Sequence, residues 1–335
     1  NNLKFRVYIL SLFLLVLLKV NAQEIVLSQP FAAAQFLTPA SVGNGVFDQR
    51  IQSNFRSQSI AGLNFAKTLV VGWDRKYNRK TEDRSNYLGI GGQIISEQLM
   101  NGLLNTNFIT INSAYHLFLD GDDFSNLAIG MGITYAQTTL DRSKLNFASS
   151  YNPSNGSFDI PSNEIFLPNA GRLTVNTGLL YTKHSNDSYF QLSANGFFFA
   201  KPDVTNSPYN EAPGMRAAVF MNLERYFNGD YTFLLHGAFS NRNKENSYFV
   251  GGSVSLPIKI EYDHDRRLYL GCFYRQNDAI VPTVNILMDN YIFGISYDIY
   301  SNGLAAAGLR SNSFELTFSK SFGKRKQELM RTLFD

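Results

Sequence analysis

The sequence predicts an all-β chain closed into an antiparallel transmembrane β-barrel of about fourteen strands, with a range of twelve to sixteen. Three observations carry this. Apolar residues recur at every second position over stretches of ~10–12 residues, longer than the usual strand of 5–6 and close to the 9–11 that a tilted membrane strand needs. The apolar faces often end in Tyr or Phe, as at the two interfaces of a membrane barrel. The opposite faces are Gly, Ser, Thr and Asn with scattered charges, which suits a wet lumen better than a packed core.

Composition narrows the class. The chain has 335 residues with 28 Phe and 18 Tyr, 14% aromatics, and only 17% charged residues against a typical ~25%. It is too apolar to be disordered. A mean hydropathy of −0.16 does not fit a bundle of membrane helices. One Cys, Cys272, rules out an internal disulfide framework.

The first 22 residues read as a secretory signal peptide. Lys4 and Arg6 precede the apolar run Ile9 to Leu18, and Val20-Asn21-Ala22 supplies a small residue for cleavage, the three parts such a segment needs. The apolar run is too short to span a bilayer. Cleavage after Ala22 removes Lys4, Arg6 and Lys19 from a net charge of +3 and leaves zero. No global basic field remains for nucleic acid. Residues 23–48 then form an N-terminal periplasmic or plug segment, 49–322 the barrel and 323–335 a basic tail.

The faces can be read strand by strand. In 124–136, Leu127, Ile129, Met131, Ile133 and Tyr135 oppose Asn126, Ala128, Gly130, Gly132 and Thr134. In 107–119, Ile109, Ile111, Tyr115, Leu117 and Leu119 oppose Thr110, Asn112, Ala114 and His116. In 188–198, Phe190, Leu192, Ala194 and Phe198 oppose Tyr189, Gln191, Ser193 and Asn195. In 312–322, Phe314, Leu316, Phe318 and Phe322 share a face that Lys320 interrupts, near enough to the strand end to snorkel. Strands are expected near 49–58, 62–73, 87–97, 106–119, 124–137, 171–183, 188–199, 215–226, 231–240, 247–262, 267–276, 280–287, 291–300 and 312–322.

Connections set the topology. Tight turns are expected at 120–123, 184–187, 228–230, 263–266 and 288–290. Longer segments occupy 138–170, 200–214 and 301–311. The pattern of short periplasmic turns and long outer loops orients the chain if the last strand runs down to the periplasm. It places 241–246 outside. The turn at 277–279 is short where a long one is due, and the charged 74–86 loop breaks the alternation.

Several short motifs occur in a fixed order: Leu27-Ser28-Gln29-Pro30, Thr38-Pro39-Ala40, Gly43, Phe55-Arg56-Ser57-Gln58, Tyr87-Leu88-Gly89, Ala114-Tyr115-His116, Phe273-Tyr274-Arg275 with Asp278-Ala279, Gly294-Ile295-Ser296-Tyr297-Asp298, and Phe314-Glu315-Leu316. This order resembles the PorP/SprF family of Bacteroidetes outer-membrane proteins, over nearly all of the chain after the signal. The resemblance implies an integral outer-membrane component of type IX secretion or gliding that helps export a large surface protein or holds it at the membrane. It implies no enzymatic role. The expected partners are that surface protein and periplasmic secretion or gliding components.

Catalytic and metal-binding patterns are missing from the sequence. The four His, His116, His184, His236 and His264, show no metal-site spacing, and with one Cys a zinc site is not indicated. Asp263-His264-Asp265 reads as a solvated turn. Gly89-Ile90-Gly91-Gly92 lacks the spacing of a phosphate loop and reads as lumen glycines. Asp120-Gly121-Asp122-Asp123 lacks the remaining ligands of a calcium loop. No cofactor is expected.

The informative polar residues are those on inward faces. These are Arg216, Glu224, Arg267, Arg275, Asp298 and Glu315, with Asp278 just beyond and Arg56 within its motif. A basic side chain facing lipid at mid-depth costs ~2–4 kcal/mol, so they should point inward, as a salt-bridged wall or as contacts for a plug or partner. In the tail, Lys324, Arg325 and Lys326 precede Leu329, Leu333 and Phe334, which fall close to one stripe of a short helix. The tail is expected in the periplasm, frayed or docked on a partner or on the barrel's own mouth. The alternative function for such a chain is an outer-membrane diffusion channel or apolar-solute transporter, because strand pattern does not fix function.

Overall fold

The computed structural model describes residues 26–77, 86–119, 124–158, 170–185, 187–199, 216–227, 231–242, 245–261, 264–301, 311–323 and 332–333. The expected signal peptide and the turn at 120–123 lie outside these residues.

Fourteen antiparallel strands close into one barrel. They are β1 (Gln49–Ile60), β2 (Leu63–Tyr77), β3 (Tyr87–Leu99), β4 (Leu104–Leu119), β5 (Phe124–Leu140), β6 (Ala170–His184), β7 (Ser188–Phe199), β8 (Arg216–Phe227), β9 (Tyr231–Arg242), β10 (Glu245–Glu261), β11 (His264–Arg275), β12 (Ala279–Met288), β13 (Tyr291–Tyr300) and β14 (Ser311–Phe322). Each pairs with its neighbours in sequence, and β1 closes on β14 from Gln49↔Phe322 to Ile60↔Ser311. Closure matters because an open sheet edge in hydrocarbon leaves backbone groups unpaired.

Strand β1 begins, and β14 finishes, at what is termed here the terminal end. The ends of β5, β7 and β13 and the starts of β6, β8 and β14 lie at the other, the loop end. Two tight turns lie at the loop end, the first within the short gap left between the expected strands 49–58 and 62–73. Ala61-Gly62 joins β1 to β2, and Met100 to Leu103 joins β3 to β4. Both turn on left-handed residues, Ala61 at φ 52° and Gly62 at 81°, then Met100, Asn101 and Gly102 at 50°, 56° and 78°. Strand β11 starts at His264, so the expected turn at 263–266 is shorter.

The outward faces are those the alternation assigns. Ile109, Ile111, Ile129, Met131 and Ile133 are each more than half exposed, and Cys272 also faces out. Aromatics ring both ends: Tyr77, Tyr115, Tyr231 and Tyr291 at the terminal end, Tyr135, Tyr274 and Tyr297 toward the loop end. Lys320 rests its ammonium 4.9 Å from the ring centres of both Tyr291 and Phe322, so its charge lies over aromatic faces at the barrel rim.

The inward faces follow the plug alternative of the sequence reading rather than the wet-lumen one. They do not line a wet lumen. Asn54, Asn112, His116, Ser193, Asn222, Ser255 and Asp298 are all 1–2% exposed or less. Asn54, Asn112, His116 and Asp298 bond directly to the chain's own N-terminal segment, and buried Glu224 bonds to Leu333.

Candidate functional site

Residues 26–48 run through the barrel as a chain of short turns: Pro30–Ala32, a single helical turn α1 (Ala34–Leu37), and Pro39–Ser41. Proline opens two of these turns, where its missing N–H costs nothing. The Thr38 hydroxyl accepts the Ala40 amide and caps the third. No regular element is long enough to satisfy its own backbone, so the barrel wall does so.

At Ser28 and Gln29 the wall supplies carboxylates. Glu315 accepts the Ser28 amide at 2.6 Å on one oxygen and the Gln29 amide at 3.1 Å on the other, beside Asn54 Nδ2 at 3.0 Å. Asp298 accepts the Ser28 hydroxyl at 2.6 Å. The other Asp298 oxygen takes Arg56 Nη2 at 2.9 Å and Arg275 Nη2 at 2.7 Å. Arg56 Nε donates to Ser28 Oγ at 3.2 Å and Nη2 to Tyr300 at 2.8 Å. Arg275 also holds Asp278, 2.5 Å away. Asp298 and Glu315 are fully buried. A buried carboxylate persists only when paired and hydrogen-bonded, and here part of that pairing comes from the threaded segment.

Further along, the segment is gripped on all sides. Gln52 Oε1 accepts the Ala34 amide at 3.2 Å. Gln35 donates to Trp73 O at 2.9 Å and accepts from Asn112 at 3.1 Å. Asn195 donates to Leu37 O. Phe31 sits against His236 and Phe273, with ring centres 5.5 and 5.4 Å away, inside the largest apolar cluster.

Close to the terminal end a second ion pair appears. Arg50 reaches Asp74 through Nε at 3.2 Å and Nη2 at 3.1 Å, and Asp74 also accepts the Gly43 amide at 2.7 Å. His116 Nε2 donates to Val42 O at 2.8 Å, which leaves Nδ1 to accept from Asn126 at 3.1 Å. Tyr87 stacks on His116, ring centres 4.3 Å apart, and its hydroxyl donates to Gly43 O at 3.0 Å. Wall glycines let the backbones touch. A Cβ on Gly89 would meet Val42 O at 2.0 Å, and one on Gly130 would meet Ala40 N at 2.4 Å. These glycines make room for chain, not for water.

The remaining candidates fall elsewhere. Glu224 forms a separate site near the terminal end. It accepts Tyr269 OH at 2.7 Å and the Leu333 amide at 3.1 Å. Arg267 donates to Thr232 and lies 4.2 Å over the Tyr226 ring. Arg216 opens β8, and its side chain lies outside the described residues, as do Lys324, Arg325, Lys326, Leu329 and Phe334. Thr332 and Leu333 are buried within the barrel. Arg56, Arg275, Asp278, Asp298 and Glu315 thus meet in one network drawn from β1, β11, β13, β14 and the β11–β12 turn. The pairing of Arg50 with Asp74, and the roles of His116 and Ser28, escape sequence reasoning. Ser28 and His116 are signalled only by the motifs Leu27-Ser28-Gln29-Pro30 and Ala114-Tyr115-His116, in which Arg50 and Asp74 have no place.

Among the described residues the buried charges balance, four basic (Arg50, Arg56, Lys76, Arg275) against four acidic (Asp74, Glu224, Asp298, Glu315). No group of three His, Cys, Asp or Glu among them could hold a metal ion. Fold and site together define an integral membrane β-barrel whose lumen is occupied by its own chain.

The profile of the PorP/SprF family, described as type IX secretion system membrane proteins, matches residues 19–319. The chain belongs to this family, and with its barrel this makes it an outer-membrane protein of the type IX secretion system. No curated protein matches the sequence significantly. Solved structures of similar shape include the toluene transporter TbuX of Ralstonia pickettii, at 10% identity, TM-score 0.48, 87% of this chain and 94% of that one. The KdgM porin matches at 8% identity, TM-score 0.37, 81% and 99%. The transport unit of the Escherichia coli autotransporter AIDA-I matches at 9% identity, TM-score 0.40, 88% and 97%.

Proposed function

We propose that this protein is a closed, non-enzymatic barrel that supports type IX secretion or gliding by helping a large partner protein to be exported or held at the cell surface. The observation behind this reading is the occupied lumen. Residues 26–48 are fixed to the wall by Glu315, Asp298, Asp74, His116 and Asn195, and several of those bonds end on backbone groups. A diffusion channel needs a continuous wet path, and among the described residues the formal buried charges balance rather than offering an ion-selective field. Family membership supplies the secretion context, and Sec-dependent export through residues 1–22 brings the chain to it.

The test has two arms. Purified protein in a planar bilayer should show no steady conductance. Gentle detergent extraction from its own cells should recover a large secreted protein or periplasmic secretion components in fixed ratio with it. A stable open channel together with no recovered partner would favour the diffusion-channel reading.

A further inference from the structure

The outer wall at the loop end of β2, β3 and β4 carries a polar groove where a lipid-facing surface should be ending. Its volume is about 290 Å³, and its polar lining includes Asn64, Lys67, Gln98, Asn105, Asp141 and Lys144. The register aligns Lys67, Gln98, Asn105 and Thr139 as one outward row across four strands. Asn64 joins them because the irregularity at Gln58/Ser59 pairs it with outward-facing Ser59. Such a bulge re-aims side chains.

Height along the wall identifies the level. The row Val71, Ile94, Ile109 and Tyr135 is apolar and closed by an aromatic. The next row, Leu69, Ser96, Asn107 and Gln137, turns polar. Lys67 lies one row further, roughly 7 Å along the strand and about 5 Å along the membrane normal at the usual tilt. That is headgroup depth, since the polar zone of a bilayer is ~5–8 Å per side.

The groove is built for a ligand with negative charge. Among the described residues the side chains of Lys67 and Gln98 make no hydrogen bond or ion pair. Lys144 donates to Asn101 O at 2.9 Å and lies 3.6 Å from Asp141, but that pair is about 40% exposed on both sides, where an ion pair is worth little. The lining therefore carries two lysines against one aspartate, with amide donors between them. Exposed Met100 sits in the turn beside it.

We propose that this groove binds the phosphate-bearing headgroup of a glycolipid of lipid A type, with Lys67 and Lys144 on the phosphate and the acyl chains lying on Val71, Ile94 and Ile109. The chemistry is a charge-assisted phosphate contact held over an apolar wall. The assignment takes the loop end as the outer-leaflet side.

Native mass spectrometry of the detergent-purified protein with bisphosphorylated lipid A tests it. Wild type should retain the lipid. The double variant Lys67→Gln, Lys144→Gln should retain it at least ~10-fold less well, the loss expected for removing charge-assisted hydrogen bonds, while its heat-modifiable folding stays unchanged. Lys67→Arg should keep capture. The proposal is overturned if the double variant binds as wild type does, if phosphatidylglycerol or dephosphorylated lipid A binds equally well, or if millimolar inorganic phosphate displaces the lipid.

Discussion

Glu315 holds Ser28 by its backbone: the Ser28 amide lies 2.6 Å from one carboxylate oxygen, and the following amide, Gln29, lies 3.1 Å from the other. A side chain of β14 thereby captures two consecutive peptide groups of a segment nearly 290 residues earlier. The contact is indifferent to the identity of the captured side chains. It recognises chain direction and position, which is what a fastening inside a barrel requires. The segment is therefore as much a part of the folded wall as a strand is.

Glu315→Gln should loosen this fastening. The glutamine amide group turns one acceptor into a donor facing a backbone N–H. The expected cost is ~1–3 kcal/mol, the range for leaving a buried polar group unpaired. Urea unfolding of the detergent-folded protein should show the lowered midpoint, and bilayer recordings should show transient openings that wild type lacks. An unchanged midpoint with silent recordings would contradict the clamp.

Asp298→Asn should be more severe. It leaves the Arg56 guanidinium buried against a neutral partner and Arg275 with Asp278 as its remaining carboxylate. Breaking a buried ion network from one side costs ~3–5 kcal/mol. The removal of both cations in Arg56→Met, Arg275→Met with Asp298→Leu should recover part of the loss. Equal stability of the single variant and wild type would mean that the network carries no energy.

Gly89→Ala tests the close approach directly. Its Cβ would stand 2.0 Å from Val42 O, so the segment must move or the wall must bend. Limited proteolysis should then cut within residues 26–48 faster than in wild type, with the barrel core still resistant. Protection equal to wild type would show that the backbones are not in contact.

Faces of β5 give a paired test. Ile129→Arg, facing lipid, should cost ~2–4 kcal/mol at mid-depth. Asn126→Arg looks mild if the lumen is wet, but Asn126 is buried against His116 and Tyr87. It should also destabilise, by ~1–3 kcal/mol through overpacking. A harmless Asn126→Arg would restore the wet-lumen picture.

Orientation can be tested on intact cells. Ser301→Cys, at the loop end, should react with an impermeant maleimide. Asn290→Cys, in the β12–β13 turn at the terminal end, should react only after the outer membrane is opened. Cys272 faces the lipid side and should stay silent in both. Reversed labelling would turn the barrel over.

The sequence alone determined the barrel class, the approximate positions of the strands and their faces, with a strand number of twelve to sixteen that the closed barrel fixes at fourteen. Lipid outside and polar surroundings inside impose period two on every strand, and that period is local enough to read in Leu127 to Tyr135 or Phe314 to Phe318. Family membership was legible in the same local way, through short motifs in order. Only the tertiary structure decided what the polar faces are for. Wet lumen and packed lumen demand the same alternation of Gly, Ser, Thr and Asn, so periodicity cannot separate them. The difference lies in contacts such as Arg56 to Asp298 and Val42 to His116, spanning 242 and 74 residues. Those arise only when closure of β1 on β14 brings distant strands around one axis, with the segment before β1 held inside it.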